Sequence, residues 1–339
     1  MKKIISLIIA LLSLFCLTLF SLQSCAQNTT YSEGEGEIYV LCTTFAPFDF
    51  ARAVGGDRVT VALLQDSGAD LHNYTPTTAT LKALSDADLF IFIGGSSDHA
   101  WIDKTVDAAG NDSLTSLCLI DYVTPIYAEM SNDWSDHDKD DHGDSHSHDH
   151  DGHSDHDGHD HSSDEHIWTS PRNAEKRVEA IKEQLTKIDP EGRETYEKNA
   201  SEYISALRSI DSEFEELACA LGTRPLLFAD RFPFVYLMHD YHISYMAAFS
   251  GCSTEINAGF DTQIDLINTV KDKKIDFIVT IEGGDKHLAD AIAHETGCDM
   301  ITLDSLQSVS RNDIKNGKTY LETMKNNAKK LREVIYAAD

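Results

Sequence analysis

The stretch from Arg193 to Gly222, RETYEKNASEYISALRSIDSEFEELACALG, decides how the rest of the chain is read. Within it Tyr196, Ala200, Tyr203, Leu207, Ile210, Phe214, Leu217 and Leu221 advance in alternating steps of four and three. That spacing lays one apolar stripe along a single helix of about eight turns. Asp189-Pro190 breaks the preceding helix and Gly222 is placed to end this one, so residues 190–222 are expected to form one long linker helix. The aromatic residues on its stripe read as core packing.

On either side the chain alternates strands and helices. Upstream, Ile38–Thr44, Val59–Leu64, Leu89–Ile93 and Leu117–Ile120 are short apolar runs, with helices through Phe48–Val54, from Thr75-Pro76 to Leu84, and from Ser170-Pro171 to Ile188. Downstream, Pro225–Ala229, Ile243–Phe249, Phe277–Ile281 and Met300–Leu303 alternate with helices near 232–239, 263–271, 286–296 and 317–336. Near-continuous apolar runs bounded by glycine and separated by helices predict parallel sheets covered on both faces. The expected architecture is therefore α/β: two Rossmann-like lobes, 38–188 and 223–339, joined by one long rigid helix. Open sheets of this kind bind ligands beyond the carboxyl ends of their strands, here in the cleft between lobes.

At 339 residues the length suits about two domains. The net charge of −29 argues against a nucleic-acid partner, because neutralising phosphates takes Lys and Arg. Residues 129–165 hold fourteen acidic side chains against one lysine, so that segment carries −13 of the total. At the start, Lys2 and Lys3 precede an apolar run from Ile4 to Phe20, then Leu22, Gln23, Ser24 and Cys25. Residues 1–24 read as a signal peptide, with an uncleaved membrane anchor less consistent with so short a span and no basic flank after it. Leu22, Ser24 and Cys25 resemble a bacterial lipobox, so Cys25 is the expected lipidation site and 25–37 a flexible tether. Location on the outer face of the cytoplasmic membrane or in the periplasm follows. The other cysteines, Cys42, Cys118, Cys219, Cys252 and Cys298 once Cys16 leaves with the signal, show no CxxC spacing and give no zinc–thiolate site.

Nine of the sixteen histidines fall in one run: His137, His142, His146, His148, His150, His153, His156, His159 and His161. Neutral imidazole suits zinc, copper and nickel, and the flanking aspartates offset a cation's charge. A segment so polar cannot bury apolar surface, so 129–165 is expected to be a disordered insertion with several weak, exchanging metal sites. A tight site needs donors held by the fold. His72, following a strand in Gly68-Ala-Asp-Leu-His, and His166, where the polar insertion rejoins folded sequence, stand at element ends. His239, His242, His287 and His294 read as helix-surface residues, and His294-Glu295 lacks the second histidine of a metalloprotease helix.

Several stretches resemble the metal-binding lipoproteins of zinc and manganese ABC importers, zinc branch. They are Gly68–Pro76, Leu81–Leu84, Asp86–Phe90, Glu165–Pro171, the helix after Asp189-Pro190, Ile281-Glu282 and Thr302–Leu306, in order over the chain after the tether. The resemblance implies a metal ion between the lobes, held by His72 and His166 from the first lobe and by Asp304 or Glu282 from the second. It implies Zn2+ as the transported ligand, with Mn2+ as the alternative, an ABC permease as partner, and a monomer. The family's remaining ligand, His or Glu after the first strand of the second lobe, falls here on Ala229, which cannot ligate. Asp230, Glu255 or a water are the possible replacements. The implied function is capture and delivery by a non-enzyme, the His-rich run collecting metal for the cleft. The competing readings are a surface buffer or adhesin uncoupled from transport, and a zinc hydrolase, for which no base motif or nucleophile elbow is present.

Overall fold

Residues of the central strands alternate between two buried faces in each lobe, which is why those sequence runs are apolar throughout rather than every second residue. The computed structural model describes residues 31–64, 74–127, 163–249 and 259–337. The first lobe is a five-stranded sheet in the order β1-β3-β2-β4-β5, with β1 Tyr31–Glu33, β2 Ile38–Cys42, β3 Val59–Leu63, β4 Leu89–Phe92 and β5 Thr115–Cys118. Strands β2 to β5 pair in parallel, as expected, and β1 pairs antiparallel with β3, Tyr31 opposite Leu63. On one face Val40, Cys42, Val61, Leu63 and Ile91 join the main core. On the other, Leu41, Ala62, Phe90 and Phe92 pack with Ala83, Leu84, Trp101 and Ile102.

Two boundaries differ from the sequence reading. Tyr31–Glu33 lies in the stretch expected to be tether, yet it forms an edge strand, because Tyr31 packs on the core with its ring 6.1 Å from that of Phe48. The polar insertion also ends earlier than residue 165. Ser163 bridges to Tyr127 and the Asp164 amide donates to Ile126 O at 2.8 Å. Cys25, His72, Glu255 and the nine clustered histidines lie outside the described residues.

Helix α1, Phe45–Gly55, follows β2 and ends where Gly56 takes φ 54°. After α2, Thr78–Asp86, and α3, Ile102–Ala109, the lobe closes with α4, Pro171–Ile188, whose Ser170 cap accepts from Asn173 N. Linker helix α5 runs from Arg193 to Leu221, about 43 Å at 1.5 Å per residue. Its buried face is Tyr196, Ala200, Tyr203, Leu207, Ile210, Phe214, Leu217 and Leu221, the stripe read from the sequence. It packs against α4, α1 and the final helix, so one core runs through both lobes.

The second lobe is a four-stranded parallel sheet in the order β7-β6-β8-β9, with β6 Leu226–Phe228, β7 Tyr245–Ala247, β8 Phe277–Ile281 and β9 Asp299–Leu303. Helices α6 Val235–Asp240, α7 Phe260–Lys273, α8 His287–Thr296 and α9 Tyr320–Ala337 flank it, with a short helix Arg311–Lys315 before α9. Leu226, Phe228, Val279 and Ile281 face the main core, whereas Leu227, Ala229 and Ile278 face α7 and α8. Among the described residues no helix is long and apolar enough to cross a membrane. Cys42, Cys118, Cys219 and Cys298 are free thiols, with Cys42 buried in β2.

Candidate metal-binding cleft

His166 leaves the first lobe at the turn before α4 and is 1% exposed. One carboxylate oxygen of Asp164 accepts from both the His166 amide (2.8 Å) and its ring Nδ1 (2.9 Å). Because the carboxylate can only accept, Nδ1 carries the proton, and in the neutral ring the lone pair is on Nε2, the tautomer and orientation that carboxylate partners give to metal-binding histidines. The segment is fastened on both sides. Glu165 Oε1 accepts from Ser97 N at 2.8 Å and Ser96 Oγ at 3.2 Å, and Thr169 Oγ1 donates to His166 O at 2.9 Å. Gly95, at φ 126°, leaves room for Glu165, whose side chain a Cβ there would meet at 2.6 Å. Tyr236 Oη donates to Asp164 O at 3.0 Å.

The second lobe meets this turn directly. Trp168 Nε1 donates to Ser305 O at 2.8 Å, and Tyr320 Oη donates to Trp168 O at 2.7 Å. The Gln307 amide nitrogen contacts His166 Nε2. Glu282, one residue beyond β8, accepts from Ser305 N and Ser305 Oγ, each at 2.6 Å. Burial pushes the Glu282 carboxyl above its usual pKa, the nearby Asp304 charge adds to this, and the Ser305 bonds oppose it. Asp230, one residue beyond Ala229 and 5% exposed, accepts from Arg231 N at 2.8 Å and Ile281 N at 3.3 Å. Burial raises its pKa as well. Carboxylates desolvated at strand ends favour an arriving cation, which restores the charged form.

The expected donors are thus only partly assembled. His166 and Glu282 meet through the loop Ser305–Gln307. Asp304 is engaged elsewhere: Oδ2 pairs with Lys318 Nζ at 2.5 Å and Oδ1 accepts from Leu306 N at 2.9 Å. Among the described residues no three His, Cys, Asp or Glu side chains form a metal cluster. Ala229, expected at a cleft position, points the other way into the α7–α8 cluster. The strand-end carboxylate is Asp230. Asp164, Ser305 and Gln307 were not singled out by the sequence. Asp164 is masked there by its acidic neighbours, and nothing local marks the other two.

Two open α/β lobes on a common helix, with His166 of one lobe and Glu282 of the other joined through Ser305 and Gln307, define a two-lobed α/β protein with a candidate site between its lobes. More narrowly, the chain belongs to the ZnuA family, zinc-uptake complex component A periplasmic, whose model matches residues 40–334. It is 29% identical over 333 residues to the zinc-binding lipoprotein AdcA of Streptococcus pneumoniae R6, covering 98% of this chain and 61% of that one. It is 26% identical over 315 residues to the high-affinity zinc uptake system protein ZnuA of Bacillus subtilis, covering 92% and 93%. The Zn(II)-bound ZnuA-like domain of Streptococcus pneumoniae AdcA superposes with a TM-score of 0.68 at 25% identity, over 88% of this chain and 99% of that one. The chain therefore spans about three fifths of the length of the AdcA relatives it matches, 61%.

Proposed function

We propose that this chain captures Zn2+ outside the cytoplasmic membrane and hands it to an ABC permease, with His166 Nε2 and Glu282 as donors from opposite lobes. The observation that carries the reading is the fixed His166 ring: Asp164 holds Nδ1–H, and Nε2 faces the loop bonded to Glu282. Zinc takes imidazole and carboxylate donors together, four in a closed site. His72 is the expected second imidazole, with Asp230, Asp304 and Glu255 as further carboxylates. Asp304 would first have to leave Lys318. Carboxylate-rich sets move preference towards manganese, so Mn2+ is the competing cargo.

The His-rich run enters folded structure at Ser163, three residues before His166, so metal collected there is delivered at high local concentration. Lipidation at Cys25 would keep the protein beside its permease. None of these roles needs a catalytic base, so the protein acts as a binding protein and not an enzyme. Native mass spectrometry under competing zinc and manganese tests the reading. The protein lacking residues 136–161 should keep one tight ion, and His166→Ala and His72→Ala should each lose it. Full tight binding in His166→Ala would sink the site, and loss of the tight ion with the run would make the run itself the site.

A further inference from the structure

The loop leaving β9 is bent to reach the cleft. Leu306 sits at φ 63°, a conformation a leucine rarely adopts, and the Asp304 carboxylate holds that bend by accepting from its amide. The bend brings two successive polar side chains onto the two candidate donors. Ser305 binds Glu282 through its amide and hydroxyl, and Gln307 donates its side-chain N–H to Nε2 of His166. The same loop is tied to the first lobe by Trp168.

These contacts differ in what a metal ion can tolerate. A carboxylate offers about four lone-pair sites, so Glu282 can keep Ser305 and still ligate. A neutral imidazole has a single acceptor nitrogen, and Asp164 has already fixed the proton on the other. The Nε2 lone pair can take the Gln307 amide or a metal ion, never both.

We propose that Gln307 is a latch that competes with the metal ion for His166, so that filling the cleft breaks one direct contact between the lobes. The proposal rests on the reading that His166 receives zinc. It makes Gln307 a positioning residue that weakens affinity and makes release easier, while Ser305 stays on Glu282 in both states.

Gln307→Ala and Gln307→Leu are compared with wild type and His166→Ala, with zinc affinity measured by chelator competition. A net hydrogen bond lost from the metal-free state is expected to tighten zinc binding by about 3- to 10-fold. Without metal, nitrogen NMR of His166 is expected to show the Nε2 resonance move in both Gln307 variants while Nδ1 stays protonated. Unchanged affinity in the Gln307 variants, with binding lost in His166→Ala, overturns the latch and leaves the site intact. Weaker binding also overturns it, because Gln307 would then be a ligand through its carbonyl oxygen. Equal zinc binding by wild type and His166→Ala overturns the functional reading, and the latch falls with it.

Discussion

Asp49 joins three elements whose relative positions set the cleft, and replacing it tests whether the lobes are held by named bonds. It lies on α1, 2% exposed, and its Oδ2 accepts from Tyr203 Oη on the linker helix at 2.9 Å and from Tyr320 N at the start of α9 at 3.0 Å. Its Oδ1 takes Arg52 Nη2 at 2.6 Å. Asp49→Ala strands a buried hydroxyl and a buried amide. Two hydrogen bonds to a charged acceptor are worth about 1.5–3 kcal/mol each. The desolvation of the carboxylate, relieved in the variant, offsets part of this, and the part-exposed Arg52 pair adds little. The expected net loss is about 2–4 kcal/mol, against about 1–2 kcal/mol for Tyr203→Phe, which removes one bond and leaves the others. Urea unfolding of metal-free protein at pH 7, followed by circular dichroism, measures both, and the double variant gives their coupling. The two losses should be less than additive by about 1 kcal/mol, since residues in one bond share the same interaction. Strict additivity, or an Asp49→Ala cost no larger than that of Tyr203→Phe, would refute the reasoning.

Asp98, which accepts from Gly94 N at 2.9 Å, is pushed up to about 6 by burial. The folded chain then keeps a proton that the unfolded chain releases near 3.8, so this group's contribution to stability falls as pH climbs from about 4 to about 6. Asp98→Asn should be more stable than wild type at pH 7 by up to about 3 kcal/mol, with the difference shrinking to near zero at pH 4; a difference independent of pH would contradict this. Arg177 is fully buried, and all three of its guanidinium nitrogens lack hydrogen-bond partners among the described residues. Arg177→Met, of similar length, should raise stability by about 1–4 kcal/mol, because a buried charge without hydrogen bonds is exchanged for apolar packing; a loss of more than about 1 kcal/mol in the same urea assay would show that its attraction to Asp240 outweighs its burial.

What the sequence made legible was whatever depends on burial. The α5 stripe was readable because eight apolar side chains at helical spacing have one packing solution, and the parallel sheets because strands buried on both faces cannot hide their apolar runs. Edge strand β1 was not readable. Three residues with one aromatic anchor make no periodicity, and only the tertiary contact between Tyr31 and Phe48 reveals it. His166 was legible from its place at the edge of the polar insertion. Its partner Asp164 was not, since one of many aspartates in sequence acquires its role only when the turn folds it back onto the ring.

Strand alternation then decides how the second lobe can contribute donors. Along β6 and the residues after it, Leu226 and Phe228 face the main core, and Leu227 and Ala229 face the opposite helices. Ala229 itself packs in the α7–α8 cluster and brings no donor to the cleft. The carboxylate at this end of β6 belongs to the next residue, Asp230. Asp230 stands there against Ile281 N, with Gly284 so close that a Cβ would meet its carboxylate at 1.9 Å. That close fit gives Asp230 a fixed place beside the end of β8, where Glu282 follows one residue later. In the proposed site the second lobe thus offers carboxylates at the ends of adjacent strands, and the first lobe the imidazole. In the proposed site, the Ser305–Gln307 loop, bonded to Glu282 and in contact with His166, lies between the donors of the two lobes.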